Sequence, residues 1–569
     1  MRTRNIKANT EYQIQRHIVR MASPRHVLTL EADLSEDEKR YVYKEADKLR
    51  RFGNALTSVM MKCYEQLVRT KKYRATMKTY GKAGESGDAV LKKELIAKLK
   101  AMQEQYNVTW CFCCHKAEKL ERIYGIGSSF AITRAKEIWS AVEKLLYCGG
   151  EHLHLKERGD LPALKAQNIR GGIAIHAGEE GKLRFKFGKL YFNNIYKPKD
   201  KFINDELAAI RNYFQNPEGN DRQAVEDYLK DGTLTDTYRP CYAALKCITI
   251  RGKLRVFIYI TLEGKPMRKY RKVYNPDGSF TYVPKHKYGT GNVGVDIGTQ
   301  TIAYTSKTEV GIKNLAERGD SIQRREAKER RLRRAMDHSL RAMNQDNFNP
   351  DGTCKRGKKT WIRSKRYMKL WAKLKELSRI SAENRHYAIN EDVNHLRELG
   401  NVFITEPKNA AKLRKKSRPQ SEAELADPHV KNRSRKRCGK SIQNRCPGYL
   451  QSKAKEIFES TGGMYVEVSD SYRASQYDHV EGSYTKGKLQ QRMRTLCDGT
   501  VVQRDMYSSF LLSNPDSSYT TIDRDRCEVT FQAFHQKEQA RIEEIQQSGK
   551  KVLNSGIRPH RKPCKRKST

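Results

Sequence analysis

The stretch "VGVDIGTQTIAYTS", Val293 to Ser306, constrains the fold of this 569-residue chain more than any other segment. Its apolar and β-branched residues predict two short strands around a turn near Gly298. Asp296 lies in the middle of the first apolar run. An unpaired carboxylate in a buried strand is costly unless a metal ion or hydrogen-bond donors meet it. The stretch therefore predicts a strand pair that carries a functional acid.

Two further carboxylates stand at the ends of predicted elements. Glu406 ends the strand-like run "NVFITE", and Asp505 begins the apolar, helix-like run "DMYSSFLL". Cleavage of phosphodiesters by two Mg²⁺ ions requires several carboxylates that converge from rigid elements, because Mg²⁺ prefers hard oxygen ligands. Asp296, Glu406 and Asp505 are therefore candidate catalytic and metal-binding residues. Taken singly, Glu406 also suits a surface position after a strand, and Asp505 also suits a helix N-cap.

The charge of the chain indicates the class of partner. Lys and Arg number 112 against 66 Asp and Glu, a formal net charge of +46, which predicts binding to a polyanion and first of all to nucleic acid. The longest apolar runs, such as "VFIYITL", have the length of strands, and no membrane segment is expected. No apolar signal segment is found near Met1, and the 13 cysteines follow no disulfide pattern. We expect an intracellular, cytoplasmic protein.

The order of patterns along the chain predicts a multidomain α+β protein. Residues 31–165 are predicted to be mainly helical, with a helix capped by Ser35. Residues 166–290 alternate basic and apolar residues, which predicts a twisted antiparallel sheet or small barrel with one basic face. Residues 516–569 are predicted to be a basic tail, disordered from Gly549 onward, where eight basic residues and no acid occur.

Three basic segments are candidates for contact with nucleic acid. Between Arg318 and Arg341 nine basic residues face four acidic ones, and residues 408–440 hold twelve against three. Burying the first segment against protein would leave charges unpaired, so we expect it to lie along phosphates, with a solvated helix as the alternative. The third, residues 440–504, is basic and aromatic and suits single-stranded nucleic acid. The predicted contacts are Arg324, Arg325, Arg330, Arg331, Arg333, Arg334, Arg341, Lys412, Arg414, Lys415, Tyr477, Lys486 and Lys488.

The motifs "GVDIGTQTIAYTS", "VFITEPKN" and "QRDMYSSFLL", with the Arg-rich segment between the first two, resemble the split RuvC nuclease of the TnpB proteins and of compact type V CRISPR effectors. The resemblance covers most of the chain and implies that Asp296, Glu406 and Asp505 form the metal-binding triad. It further implies that a β-barrel-like wedge domain starts at 1–30 and continues at 166–290, with a helical recognition lobe at 31–165 between its two parts. The rest would be an RNase H-like (RuvC) α/β nuclease domain at 291–515 with inserted basic helices. That domain would include a basic bridging helix at 318–343 and a nucleic-acid-handling insert at about 440–504.

The same resemblance implies an RNA-guided DNA endonuclease. A guide RNA, from a transposon end or a CRISPR array, would pair with double-stranded target DNA beside a short flanking motif. A single site would cut both strands with two Mg²⁺ ions, which Mn²⁺ could replace. The protein would act in the bacterial cytoplasm, at the nucleoid when bound to DNA. Between Glu406 and Asp505 the chain lacks the CxxC pairs of many relatives, so no zinc is expected there. Tyr507 and Ser508 stand where the family form is "DxNAA".

Two alternatives belong to other functional classes. The first is a guide-dependent DNA-binding repressor with a dead site, and the three intact acids argue against it. The second is a guide-free RNase H-like resolvase or transposase, for which the long basic first half of the chain is unusual.

Overall fold

The computed structural model describes residues 6–86, 88–147, 150, 152–168, 171–179, 181–318, 322–408, 439–487 and 490–560. The chain divides into two compact units, Met1–Tyr270 and Arg271–Thr569. The predicted mixture of helices and sheets in a multidomain chain is confirmed. None of the helices in the described part of the chain has the length and apolar character needed to cross a membrane.

The first unit contains long helices whose ends are set by local sequence. Ser35 begins the second helix with the predicted cap: its Oγ accepts the Glu38 N–H at 3.3 Å, and the Glu38 carboxylate accepts the Ser35 N–H at 2.8 Å. Leu49, Leu56 and Met60 form the buried stripe of this helix. The helices of the unit are α1 (Ile6–Ala22), α2 (Glu36–Arg69), α3 (Lys71–Ser86), α4 (Ala89–Gln105), α5 (Trp110–Tyr124), α6 (Ser128–Tyr147), α7 (Lys201–Gln215) and α8 (Pro217–Asp231).

A seven-stranded antiparallel sheet forms the other part of the first unit. Its strands are β1 (Arg25–Asp33), β2 (Leu164–Lys165), β3 (Ile173–Ala177), β4 (Leu183–Phe187), β5 (Leu190–Asn194), β6 (Arg239–Ile250) and β7 (Lys253–Glu263), in the order β2-β6-β7-β1-β5-β4-β3. In β4, Leu183, Phe185 and Phe187 are buried while Arg184 and Lys186 are exposed. This alternation gives the sheet an apolar inner side and basic residues outside.

Helices α7 and α8 lie within residues 166–290, where the sequence pattern predicts mainly strands. Asp200 caps α7 through its side chain. Asn216 caps α8, which has Pro217 in its first turn. Leu207 and its helical neighbours bury one face of α7. Both caps are ordinary helix-start signals, and they lie between segments with strand-like alternation.

The second unit is organised around a five-stranded mixed sheet in the order β12-β11-β10-β13-β14. The strands β10, β11 and β12 pair antiparallel, whereas β13 pairs parallel with β10, and β14 parallel with β13. The five strands are β10 (Asn292–Ile297), β11 (Thr301–Ser306), β12 (Val310–Asn314), β13 (Val402–Thr405) and β14 (Met464–Glu467).

Helices and short strand pairs complete the second unit. The helices are α9 (Ile322–Ala342), α10 (Lys365–Leu399), α11 (Gly439–Arg445), α12 (Pro447–Ser460), α13 (Arg504–Ser513) and α14 (Arg524–Ser548). The short strands are β15 (Tyr477–Asp478), β16 (Ser483–Tyr484), β17 (Met493–Thr495) and β18 (Val501–Gln503). A separate hairpin, which starts at the boundary between the two units, consists of β8 (Tyr270–Tyr274) and β9 (Phe280–Pro284).

Arg397 ties α10 to the segments that precede β10 and β14. Its buried guanidinium donates to the carbonyls of Gly289 at 2.9 Å and Thr461 at 3.0 Å, and to Thr461 Oγ1 at 2.8 Å. The Tyr288 ring lies 4.5 Å from the guanidinium. Bonds of this kind stabilise a buried charge, and here they hold the frame from which β10 and β13 project.

The predicted insert at about 440–504 is smaller in the structure. Helices α11 and α12 and strand β14 belong to the body of the second unit, because β14 extends the central sheet beyond β13. Phe403 of β13 stacks on Tyr465 at 5.2 Å and packs edge-on against Phe458 of α12. The described residues between β14 and α13 form the separate strand pairs β15–β16 and β17–β18 instead of joining the central sheet.

The predicted basic tail at 516–569 contains α14, and the disorder predicted from Gly549 onward is wrong for residues 549–560. Asp523 caps α14 by accepting the Arg526 N–H at 3.0 Å. Beyond this helix Val552, Ser555 and Ile557 are buried. The last nine residues, 561–569, lie outside the described residues.

Candidate active site

The register of the parallel strands brings Asp296 and Glu406 together. Along β10 and β13 the partners run from Asn292 opposite Val402 to Val295 opposite Thr405. The same register places Asp296 opposite Glu406, the first residue after β13. Asp296 is the next-to-last residue of β10 rather than a mid-strand residue, since the backbone turns at Gly298. Both acids therefore stand at the carboxyl ends of parallel strands, where α/β sheets commonly bind ligands.

Helix α13 brings the third acid to this edge. Asp505 lies in the first turn of α13, next to the positive end of the helix. The N-cap is Gln503, whose side chain accepts the Met506 N–H at 2.7 Å, so the N-cap alternative for Asp505 is wrong. Arg504 donates to Asp505 Oδ1 at 3.0 Å, and Arg492 lies 3.6 Å from Oδ2.

The electrostatics of the three acids are those of one shared site. Burial raises the pKa of Glu406, and the charge of Asp296 raises it further. Burial, and then the charge of Asp296, also raise the pKa of Asp505 despite the opposing effect of Arg504. The backbone N–H of Ala474 holds Glu406 Oε1 at 2.9 Å. Because Glu406 and Asp505 both lie close enough to Asp296 to be affected by its charge, the site concentrates negative charge that a cation would stabilise.

Lys408 supplies a cation from the chain itself. Its Nζ donates to Asp296 Oδ1 at 2.6 Å and to the carbonyl oxygen of Ile297. Burial lowers the pKa of Lys408, but the charges of the carboxylates outweigh this effect and leave the pKa above its ordinary value. The Lys408 ammonium therefore neutralises Asp296 in the place of a metal cation.

The donor set suits Mg²⁺ in its chemistry, because three carboxylates offer hard oxygens. As the side chains stand, no three acidic, histidine or cysteine groups among the described residues are arranged to hold a metal ion. Asp296 is paired with Lys408, and Asp505 is paired with Arg504. A metal ion at Asp296 would therefore take the position that the Lys408 ammonium holds.

A buried acid of α14 supports the start of α13. Glu538 is fully buried, and its Oε1 accepts the N–H of Gln503 at 2.7 Å. Its Oε2 lies 3.1 Å from His535 Nδ1. Burial raises the pKa of Glu538 to about 8. The residue is therefore a neutral acid near pH 7 that positions the helix carrying Asp505.

We expect this acid to make the stability of the second unit fall as pH rises. The folded-state pKa of Glu538, about 8, exceeds the ordinary value of 4.5, so its stabilisation is complete below the lower value and is lost as pH passes the higher one. The slope between them should reach about 1.4 kcal/mol per pH unit. Calorimetry at about pH 6 and about pH 9 should show a smaller loss of Tm for Glu538→Gln than for the wild type.

Glu528→Gln is the matched control, because Glu528 lies on the same helix and is half exposed beside Arg524. It should retain the wild-type pH dependence. Parallel curves for Glu538→Gln and the wild type would show that Glu538 does not titrate in this range.

The departure at Tyr507 is accommodated in the core. Tyr507 is fully buried, and its hydroxyl lies 2.7 Å from His479 Nδ1 and accepts the His479 N–H at 3.1 Å. Ser509, on the next turn, bonds Thr305 of β11 through the two hydroxyls at 2.7 Å. These residues anchor α13 without contacting the acids.

Most of the predicted arginine contacts lie on the exposed surface of α9, and Arg325 is an exception. It is 6% exposed and donates to the carbonyl of Ser381 on α10 at 3.4 Å, so its role is to pack α9 against α10. Arg341 is exposed but donates within the chain to Asp337 and to the carbonyl of Gly352, both at 2.8 Å. The other exposed members are Arg324, Arg330, Arg331, Arg333 and Arg334.

Of the predicted nucleic-acid contacts in the chain between α10 and α13, one is buried, one is exposed and four lie outside the described residues. Tyr477 is only 8% exposed, because it belongs to an apolar cluster of the second unit and its ring also packs 4.9 Å from Tyr484, so it offers no face for a base. Tyr484 is 48% exposed and is the accessible ring of this pair. Lys486 is exposed. Lys412, Arg414, Lys415 and Lys488 lie outside the described residues.

Sequence reasoning missed the groups that surround the acids. Lys408, Arg492, Arg504 and Gln503 all contact the acids or their helix, and none belongs to the predicted set. The only sequence signal was proximity: Arg504 and Gln503 precede Asp505, and Lys408 follows Glu406 by two residues.

Comparisons with known proteins give remote structural likenesses. No protein-family model and no curated protein matches the chain. The protein in the Cas12f1–sgRNA–target DNA complex is 11% identical, with 87% of this chain and 99% of that chain covered and a TM-score of 0.37. In the Cas12i–crRNA–dsDNA complex the identity is 12%, the coverage 77% and 62%, and the TM-score 0.26. For the Cas12i1 R-loop complex after target DNA cleavage the values are 9%, 83% and 58%, and 0.23.

The chain spans about three-fifths of the length of the two Cas12i proteins.

Proposed function

We propose that this chain is an RNA-guided, metal-dependent DNA endonuclease. The observation that carries the proposal is the convergence of Asp296, Glu406 and Asp505 at one partly buried edge of a mixed sheet, in a chain with a net charge of +46. Burying Glu406 and Asp505 beside the charge of Asp296 costs free energy, and a bound divalent cation would offset that cost. The surrounding positive charge suits a polyanionic substrate.

The residues divide into metal ligands and groups that orient them. Asp296, Glu406 and Asp505 would hold Mg²⁺, which when bound activates a water molecule and stabilises the leaving oxygen of a phosphodiester. The Ala474 N–H fixes Glu406, and Arg504 with Arg492 fixes Asp505. Such supporting contacts limit the geometries that the carboxylates can adopt.

Sequence recognition is assigned to an RNA partner. In a guided nuclease, base pairing reads the target, while the protein holds the backbone of the heteroduplex and reads a short flanking motif on duplex DNA. Exposed arginines along α9 provide a row of phosphate contacts for this role. The motif resemblance to TnpB proteins and compact type V effectors supports the same assignment, with a guide from a transposon end or a CRISPR array.

The partner RNA is tested by purifying the chain expressed with its native flanking DNA and sequencing the RNA that accompanies it. We expect a discrete RNA with a constant scaffold and a variable guide end. Heterogeneous cellular RNA, or none, would instead favour a guide-free nuclease.

The role of Lys408 gives a prediction for the metal site. Lys408→Met removes the ammonium that is bonded to Asp296. Mn²⁺ should then bind more tightly, by about tenfold or more, because a charge-assisted hydrogen bond no longer competes with the metal ion for this carboxylate. Electron paramagnetic resonance of free Mn²⁺ measures this affinity without reference to cleavage. Lys453→Met, at a lysine paired with Glu456 on the surface of α12, is the control and should change nothing. Equal Mn²⁺ affinity for Lys408→Met and the wild type would contradict this role.

A further inference from the structure

The hairpin of β8 and β9 carries three large aromatic side chains that are exposed. Tyr274 is 70% exposed, Phe280 44% and Tyr282 42%. None of the three belongs to the apolar clusters formed by the described residues. A two-stranded hairpin without a core is marginal on its own, and large exposed rings carry a cost in water. An element of this kind is typical of a binding surface.

The three rings are held in one array. Tyr274 and Phe280 meet edge-to-face at 6.0 Å, and Phe280 and Tyr282 at 5.5 Å. The Lys272 ammonium lies 3.8 Å from the centre of the Phe280 ring and 5.5 Å from that of Tyr282. The rings are therefore ordered before any partner binds, which lowers the entropic cost of binding.

The turn makes the hairpin stiff. Asn275 N–H donates to the carbonyl of Ser279 at 2.8 Å, and the Asn275 amide donates to Ser279 Oγ at 2.8 Å. The Asp277 carboxylate accepts both the N–H of Ser279, at 2.9 Å, and its hydroxyl, at 2.6 Å. Gly278 supplies the positive φ of 81° that the turn requires. The aromatic array thus stands on a preformed support.

The charges around the array indicate its partner. Between residues 271 and 287 the only acid is Asp277, and its carboxylate is engaged by Ser279 in the turn. The basic residues of this segment are Arg271, Lys272, Lys285 and Lys287, all exposed. Aromatic rings among cations suit unpaired bases on a phosphate backbone, whereas a duplex hides its base faces.

We infer that the β8–β9 hairpin is a stacking platform for single-stranded RNA, with Tyr274, Phe280 and Tyr282 against the bases and the basic residues against the phosphates. RNA is chosen because the proposed function, on which this choice rests, gives the chain an RNA partner with unpaired segments. The stacking itself depends only on the hairpin.

The test uses the full chain and a fluorescent oligonucleotide of about twelve uridines. Replacing all three rings with leucine (Tyr274→Leu, Phe280→Leu, Tyr282→Leu) keeps apolar side chains and removes the stacking faces. We expect fluorescence anisotropy to show binding weakened about tenfold or more. The ratio to the wild type should be similar at about 0.1 M and about 0.3 M salt, because stacking releases no counterions.

Controls separate the platform from the general charge of the chain. Val273→Ala is the matched control, because Val273 lies in β8 beside Tyr274 but is not one of the three rings of the array. This variant should bind the oligonucleotide as tightly as the wild type does. Tyr274→Leu alone, at the most exposed ring, guards against loss of the hairpin in the triple variant, and should weaken binding severalfold with unchanged circular dichroism. Binding of duplex RNA should be the same for all variants.

Photocrosslinking with 4-thiouridine supplies a second readout, and the crosslinks should map to the three rings. Equal affinity of the triple variant and the wild type for the single-stranded RNA would overturn the inference, as would a loss confined to single-stranded DNA. RNA-guided cleavage is measured separately. If the wild type shows no guided cleavage but the triple variant still binds the oligonucleotide more weakly than the wild type does, the proposed function is contradicted and the stacking platform is not.

Discussion

Asp296→Asn should abolish DNA cleavage while the fold and RNA binding persist. The change keeps the size of the side chain and removes the charge that faces Glu406 and Asp505. Loss of one metal-binding carboxylate forfeits several kcal/mol of charge stabilisation in the transition state, which corresponds to a rate reduction of about a thousandfold or more. Single-turnover cleavage of a labelled target in Mg²⁺ measures the rate.

A matched control exists on the same sheet edge. Glu467 ends β14 opposite Thr405, is exposed, and accepts a hydrogen bond from Tyr465 at 3.2 Å. Glu467→Gln should cleave at nearly the wild-type rate. If Asp296→Asn cut as fast as Glu467→Gln, Asp296 would have no part in the chemistry.

Gly294→Ala should destabilise the second unit severely. Gly294 lies in β10 directly beneath α13, and an added Cβ would lie 2.7 Å from the carbonyl carbon of Leu512 and still nearer to the backbone of Ser509 and Ser513. Backbone atoms of a packed helix cannot move aside as a flexible side chain can. We expect a loss of about 3 kcal/mol or more in the free energy of unfolding, the upper range for overpacked cores.

The displacement of α13 would also move Asp505, so cleavage should be lost at temperatures where the variant remains folded. Gly81→Ala is the control, because Gly81 lies in α3 with open space around it and alanine favours the helix. Calorimetry should show a lower Tm for the second unit in Gly294→Ala and an unchanged or slightly higher stability in Gly81→Ala. A wild-type Tm for Gly294→Ala would contradict the close packing of β10 and α13.

The sequence could predict the strands around Asp296 because their pattern is local. The run from Val293 to Ser306 contains β10 and β11 as expected, and the Ser35 cap is an equally local signal. The proximity of Asp296 to Glu406 is different, since it depends on the register of two strands that are far apart in the chain. Only a resemblance to known motifs suggested it beforehand, and metal binding by the acids stays a prediction.

Other features could not be predicted, or were missed, for physical reasons. Lys408 follows Pro407 after a strand end, a position typical of a solvated lysine, and only the fold brings its ammonium to Asp296. Tyr477 is aromatic in a basic segment, which favours a stacking role, but its burial depends on distant packing. Helix α14, by contrast, begins with an ordinary cap at Asp523, and the basic residues beyond it led to the prediction of a disordered tail.

The most direct test of the account is cleavage of a plasmid that carries the sequence complementary to the guide of the copurified RNA, next to randomised flanking bases. In Mg²⁺ we expect linear DNA from the wild-type complex, enrichment of one flanking motif among the cut molecules, and no product with Asp296→Asn or with a chelator. Uncut plasmid under all conditions, or cutting that ignores the guide sequence, would contradict it.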